Sequence, residues 1–347
     1  MIPAQKPLDI LIFGAGAVGS TLGWRLAQCP GARLSVVCRS NYEAVKQNGI
    51  QVKTKMWGNG VFKPYRVART THEISDMSFD YVVCANKVTS SEATSFTNDL
   101  ACVVSSNTTL VSAQNGVGVE APLRQAFQDN TILSAICYIS CLQPFPGVVE
   151  QVSNLRQHAF HIGHYHRPGN TKSSTEDPRL KILASMDDKF KEIEDVGAER
   201  WTKQIFNGAW NPMAAISGLE THALLATPYL ETVLELAKET FNVAVKMGAS
   251  LPSDLPLKTI ETARTSPSLA PSMLQDFRNK RTMEVESLCG NVVRQADRMQ
   301  VPVPTVRLVY HTLLEMNRQI QESTQPLNIP RVRYPHSEVG VLHALAT

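Results

Sequence analysis

The sequence predicts an α/β protein in which a parallel-sheet domain is followed by an all-helical one. Three observations carry that expectation. Up to about residue 200, short apolar runs alternate with longer amphipathic stretches, the pattern of strands joined by crossover helices. Beyond Arg200 long helical patterns take over. The chain has 347 residues, 43% hydrophobic and 19% charged, which is enough for two cores and excludes wholesale disorder.

The strand candidates are residues 9–13, 33–38, 79–85, 108–113 and 131–140, with the pattern less complete at 158–164 and 190–196. Most joins are punctuated by Gly or Pro, as at Pro30-Gly31, Asn48-Gly49, Gly58-Asn59-Gly60 and residues 144–147. Helical patterns follow at 201–216, 229–247, 272–299 and 303–323, interrupted at 252–256 and 266–271. The composition from Pro326 onward is that of a loose tail. These boundaries give a nucleotide-type domain over residues 1–199, a helical substrate and catalytic domain over 200–330, and a tail over 331–347.

Charge excludes some partners. Lys and Arg number 34 against 31 Asp and Glu, a net charge of +3 with no basic run or basic helix, so neither nucleic acid nor an anionic membrane is expected. No stretch approaches the ~20 apolar residues of a membrane span. The seven cysteines are dispersed and include no C-x-x-C pair, which fits a reducing, cytoplasmic setting. Lys6 with the apolar run after it imitates a leader peptide, but Asp9 interrupts the run and no targeting segment is expected.

Gly14-Ala15-Gly16-Ala17-Val18-Gly19 is G-x-G-x-x-G between the first strand and a helical pattern. The first glycine permits a tight turn and the second lets backbone approach a pyrophosphate. The third packs helix on strand, and the helix start attracts the anion. In that context the motif reads as a Rossmann-type dinucleotide site rather than an ordinary turn. NAD-binding loops of this kind place an acid about 20 residues further on; here that position is Arg39, followed by Ser40 and Asn41. A guanidinium grips a 2′-phosphate that a carboxylate would repel, so NADP(H) is the expected cofactor. Arg39 could also simply cap an exposed strand end. Two more strand ends carry polar residues where ligands sit in open sheets: Asn86-Lys87 and Gln114-Asn115-Gly116. A solvated loop lysine and an ordinary Asn-Gly turn are the alternatives there.

Lys203, Asn207 and Asn211 are spaced i, i+4, i+8 among apolar neighbours. On a helix they form a stripe about 12 Å long that drifts by roughly 80°. The stripe is either a narrow solvated face or a lysine proton donor flanked by ligand-binding carboxamides. Ser272 opens a Ser-x-x-Gln pattern, which reads as a capping box and also as a seat for a carboxylate. Glu284 reads either as an exposed acid on a charged helix or as part of the site. His158, His161, His164 and His166 fit no common zinc spacing, and no metal is expected.

Taken together these residues resemble ketopantoate reductases (2-dehydropantoate 2-reductases) over nearly the whole chain. The resemblance rests on the glycine loop, Arg39, Lys87, Gln114-Asn115-Gly116, the K-x-x-x-N-x-x-x-N stripe, Ser272-Met273-Leu274-Gln275-Asp276, Glu284 and Gly290-Asn291. It implies NADPH-dependent reduction of a 2-oxo acid in a cleft between the two domains, within pantothenate biosynthesis. It further implies that Lys203 is the general acid and that Asn115, Asn207 and Asn211 position substrate and nicotinamide. Ser272 would hold the substrate carboxylate, Glu284 would bond the substrate hydroxyl or the lysine, and Lys87 would lie near the nicotinamide ribose. The sequence departs from the family pattern at Leu269, where some members carry Asn, and in inserted stretches at 57–63 and 170–177. Two other functions compete: the same chemistry on a different 2-oxo acid or ketone, and a non-catalytic NADP(H)-binding sensor. Apolar helical surface in the second domain would allow a homodimer.

Overall fold

The computed structural model describes residues 7–88, 95–166 and 177–324. The expected tail (331–347), and the 170–177 insertion apart from Asp177, lie outside the described residues. The described strands are β1 (Leu8–Phe13), β2 (Ala32–Val37), β3 (Ile50–Thr54), β4 (Gly58–Phe62), β5 (Arg66–Ala68), β6 (Tyr81–Cys84), β7 (Thr109–Ser112), β8 (Ile132–Cys137), β9 (Ile139–Phe145), β10 (Val148–Asn154), β11 (Phe160–His164) and β12 (Phe190–Glu192). Among them run α1 (Ala17–Leu26), α2 (Tyr42–Asn48), α3 (Ser95–Leu100), α4 (Ala121–Ala126) and α5 (Pro178–Ser185). The remainder is helical: α6 (Val196–Ser217), α7 (Thr221–Leu225), α8 (Tyr229–Lys246), α9 (Leu255–Thr265), α10 (Ser272–Arg278), α11 (Asn291–Met299) and α12 (Pro304–Thr324).

The main sheet has the order β12-β11-β8-β7-β6-β1-β2-β5. Its pairs are parallel except β8 with β11; on β1, Ile10 lies opposite Leu34 of β2 and Ile12 opposite Val83 of β6. The chain leaves β1 for β2 on one side and returns to β6 on the other, so the strand order reverses at β1. Ligands of open α/β sheets bind outside the carboxyl ends at such a point. The glycine loop after β1 and Asn86-Lys87 after β6 both stand there. The central strands are buried on both faces, as β6 (Tyr81–Cys84) and β7 (Thr109–Ser112) show, which accounts for their continuous apolar runs.

A second sheet, β4-β3-β10-β9, was not expected from the sequence. Helix α1 lies between the two sheets: a Cβ on Gly23 would stand 3.0 Å from Ile12 of the main sheet and 3.5 Å from Phe62 of the small one. Gly58-Asn59-Gly60 reads as a turn but is part of β4, because a Cβ on Gly60 would stand 2.9 Å from the Trp24 indole. The small residue there reflects a close approach rather than a bend. The run 131–140 is likewise not one strand. It breaks at Tyr138, where the chain passes from the main sheet to the small one. Of the run 190–196, only Phe190–Glu192 is strand.

Helix α6 starts earlier than its apolar pattern suggests. Asp195 Oδ1 accepts the Ala198 N–H at 2.8 Å and caps the first turn, and Gly218 at φ +74° ends the helix. The fully buried Trp210 anchors α6 among Leu236, Leu274, Val292 and Leu313. Buried Glu239 of α8 accepts the Thr305 and Val306 N–H groups at 3.0 and 2.8 Å, fastening the start of α12. The expected long helix 272–299 is divided. Lys280 adopts φ +50°, and the Arg281 N–H reaches back to the Asp276 carbonyl at 2.8 Å, a Schellman closure formed without glycine. A π-helical turn, Glu286–Gly290, then leads into α11. Among the described residues no helix is long and apolar enough to cross a membrane.

Candidate active site

The glycine loop has the shape a pyrophosphate requires. Gly14 sits at φ +102°, and a Cβ there would meet the Asn86 nitrogen at 2.6 Å. A Cβ on Gly19 would meet the Gly14 carbonyl oxygen at 2.1 Å and the Ala85 side chain at 2.9 Å, so loop, helix and β6 are packed without space. At Gly16, among the described residues and apart from its chain neighbours, nothing lies within 4 Å of that position. The middle glycine therefore faces open space, and among the described residues no side chain caps α1, whose first amides are the electropositive end of a helix dipole. Such a cradle fits a dinucleotide pyrophosphate. Buried Asn41 donates to the Ala15 carbonyl at 2.6 Å and Gln143 reaches the same oxygen at 3.5 Å, which fixes the loop from two sides. Neither tether is visible in the sequence. Arg39 is exposed just beyond β2. Near it Arg69 stacks on the Tyr42 ring at 4.1 Å and pairs with Glu43.

Across the domain boundary, Lys87 donates to Asp276 Oδ2 of α10. Asp276 is buried and also accepts from Arg281 Nε at 3.1 Å. Gln114 is held beside the same strand end by Asn86 Oδ1 at 3.0 Å.

Lys203 and Asn115 are brought together. The ammonium donates to Asn115 Oδ1 at 2.6 Å, joining α6 to the loop after β7. Burial pushes the Lys203 pKa down to about 8; the Cys137 thiol and Glu284 pull it upward, and the Arg200 guanidinium pushes it further down. Glu284 is buried, contrary to the reading of an exposed acid. Burial raises its pKa, opposed first by Lys87, while Asp276 adds to the rise; the Val88 N–H and Lys203 also favour its charged form. The half-buried Lys203 and Asn115 thus stand together near the buried Glu284, whose charge acts on the lysine.

Asn207, one turn along α6 from Lys203, is half-buried and makes no side-chain hydrogen bond among the described residues. Asn211, a turn further, is buried and occupied: its Oδ1 accepts from Ser272 Oγ at 3.0 Å and from the Met273 N–H at 3.1 Å. The expected capping box at Ser272 does not form. Pro271 is the N-cap residue, and Asn211 of α6 caps α10 from outside while Gln275 turns to the Ala270 carbonyl at 2.7 Å. Ser272 itself remains exposed at the helix start. Three residues before it, the half-buried Leu269 is pinned by reciprocal bonds with Thr221, both 3.1 Å.

Beneath the lysine lies a network that sequence reading missed. The Tyr138 hydroxyl donates to Glu199 Oε1 at 2.6 Å, and His161 Nδ1 lies 2.7 Å from the same oxygen. Burial alone would raise the Glu199 pKa, but the bonds from His161 and Tyr138 outweigh it and hold the acid down at about 2. The Tyr138 ring faces the Lys203 ammonium at 6.0 Å. Glu199 lies four residues before Lys203, an i, i+4 relation that could have been noticed. Tyr138, outside any motif, offered no signal. Of the clustered histidines, His161 serves Glu199 and His164 faces Asp177 at 3.7 Å. Among the described residues no group of three or more His, Cys, Asp or Glu is placed to hold a metal ion.

Comparison with known proteins gives this geometry a context. The pattern of the ketopantoate reductase PanE/ApbA family matches residues 10–167, and that of the family's C-terminal region matches residues 195–317. A 2-dehydropantoate 2-reductase of Mesorhizobium japonicum is 27% identical over 326 residues, covering 87% of this chain and 95% of the relative. The crystal structure of 2-dehydropantoate 2-reductase from Methylococcus capsulatus superposes with a TM-score of 0.78 at 30% identity, covering 92% of this chain and 99% of that one. A D-mandelate dehydrogenase solved with NADH and anilino(oxo)acetate shares the fold, with a TM-score of 0.76 at 18% identity over 90% of this chain and all of the other.

Proposed function

Because the chain belongs to the ketopantoate reductase family, a family of oxidoreductases acting on a CH-OH/C=O pair, we propose that it reduces 2-dehydropantoate to pantoate with NADPH. The observation that carries the proposal is the half-buried Lys203, its ammonium donating to Asn115 Oδ1 beside buried Glu284 where the two domains meet, with its pKa lowered by burial to about 8. The nicotinamide cofactor supplies the hydride. Lys203 Nζ gives a proton to the substrate's carbonyl oxygen as negative charge develops there, and a cation in a dry cleft stabilises that charge most in the transition state. Asn115 orients the ammonium, and Glu284 keeps it charged and accepts from the nascent hydroxyl.

Ser272 receives the substrate carboxylate, its hydroxyl turning from Asn211 Oδ1 to donate to it, while Asn207 and Asn211 position substrate and nicotinamide. Residues 14–19 cradle the pyrophosphate, Arg39 takes the 2′-phosphate, and Lys87 borders the nicotinamide ribose. On this reading residues 1–199 form the cofactor domain and 200–330 the catalytic one. A second substrate, another 2-oxo acid or ketone, is favoured by one observation: the pinned apolar Leu269 beside Ser272 offers no hydrogen bond to a substrate hydroxyl.

Replacing Lys203 by Ala tests the assignment. Turnover is expected to fall by on the order of 10²–10⁴ while NADPH still binds, followed by its fluorescence. A variant with near-normal turnover contradicts it.

A further inference from the structure

Arg200 is almost wholly buried, three residues before Lys203 on the same face of α6, and nothing in the proposed chemistry uses it. Its Nη1 donates to the Gln114 carbonyl and to the Gly116 carbonyl, each at 2.9 Å. These are the carbonyls of the two residues that flank Asn115. The other edge of the guanidinium is held by Glu120 Oε1 at 2.5 Å and by Ser134 Oγ, with Nε–Oγ at 3.1 Å. The circuit closes because Ser134 Oγ donates to the same Glu120 oxygen at 2.7 Å. Glu120 and Ser134 are fully buried.

From the opposite side the loop meets the π-helical turn. Gly116 has φ +101°, and a Cβ there would stand 2.2 Å from the Ser287 carbonyl oxygen. Asn291 Nδ2 holds the Val117 carbonyl at 2.7 Å.

We propose that Arg200, locked by Glu120 and Ser134, is a positioning residue that holds the backbone on both sides of Asn115 so that its carboxamide meets the Lys203 ammonium. The inference rests on Lys203 being the proton donor. Only a guanidinium serves, because its planar fork reaches two carbonyls on one edge and a carboxylate and hydroxyl on the other. A buried ion pair adds little net stability over apolar packing, but it imposes one geometry on every group it bonds. Here that geometry fixes Asn115, and the same cation lies close enough to Lys203 to favour its neutral form.

A double-mutant cycle separates positioning from mere structure. The kcat for NADPH oxidation with 2-dehydropantoate is measured for wild type, Asn115→Ala, Arg200→Lys and the double variant, each checked for fold by circular dichroism. Arg200→Lys keeps the charge but loses the fork. It should lower kcat about 10- to 100-fold, as a misplaced catalytic group does, with any change in substrate KM or NADPH Kd smaller than the fall in kcat. The double variant should be no slower than Asn115→Ala alone. If Arg200→Lys does not fold, Ser134→Ala enters the same cycle, since it loosens the circuit and leaves both charges in place. Multiplying losses in the double variant, or a rise in KM or Kd instead of a fall in kcat, would overturn the inference and leave Lys203 chemistry intact. An Asn115→Ala variant with wild-type kcat would instead overturn the lysine–asparagine reading on which it rests.

Discussion

The sharpest consequence of the cleft is a pH dependence set by Lys203. An ordinary lysine, with a pKa of 10.5, stays protonated throughout the range in which enzymes are assayed, whereas burial brings Lys203 to about 8. The donor must carry its proton to protonate the carbonyl oxygen, so reduction is expected at full rate below about pH 8 and lost as pH rises through that value. Each further unit should remove about tenfold in kcat/KM, leaving roughly a tenth at pH 9. The assay is the initial rate of NADPH oxidation at low 2-dehydropantoate concentration between pH 6 and 10, because kcat/KM reports the free enzyme. The neighbouring charge supplies an internal control. Glu284 raises the Lys203 pKa, so Glu284→Gln should move the basic limb to lower pH as well as slowing turnover. A profile flat to pH 10, or a limb that does not move in Glu284→Gln, would refute the assignment of the limb to this lysine.

Two predictions concern the cofactor. Gly16→Ala places a methyl group in open space at an ordinary backbone conformation (φ −75°, ψ −169°), so thermal stability should stay at the wild-type value. NADPH affinity should fall tenfold or more, on the order of 1.4 kcal/mol, because the methyl occupies the approach to the pyrophosphate; unchanged affinity by fluorescence titration would remove the loop from the cofactor site. Arg39→Glu replaces a phosphate clamp by a repulsive charge and should weaken NADPH far more than NADH. Equal loss for both would show that Arg39 does not read the 2′-phosphate.

Much of this architecture was legible because it repeats along the chain. Buried parallel strands write continuous apolar runs, and the spacing of Lys203, Asn207 and Asn211 placed the stripe on a helix that does form. The small sheet stayed hidden because Gly58 and Gly60 resemble a turn, although Gly60 is small to admit Trp24. The interruption after Arg278 was hidden because Lys280 takes a left-handed conformation that glycine usually announces. Around the candidate site, polar side chains could be singled out in the sequence and their partners could not. Asn211 caps a helix 61 residues away, and Arg200 reaches carbonyls 84 and 86 residues away. Periodicity cannot reveal such contacts, since only the fold brings the groups together.

The central claim, reduction of a 2-oxo acid by the Lys203 cleft, is tested most directly by the initial rate of NADPH oxidation with 2-dehydropantoate beside a panel of simpler and bulkier 2-oxo acids, ranked by kcat/KM. The account predicts turnover with 2-dehydropantoate clearly first. A bulkier acid in first place would keep the same chemistry and assign it another substrate, in keeping with the apolar Leu269 near Ser272. Absence of turnover across the panel, with NADPH bound, would contradict the account.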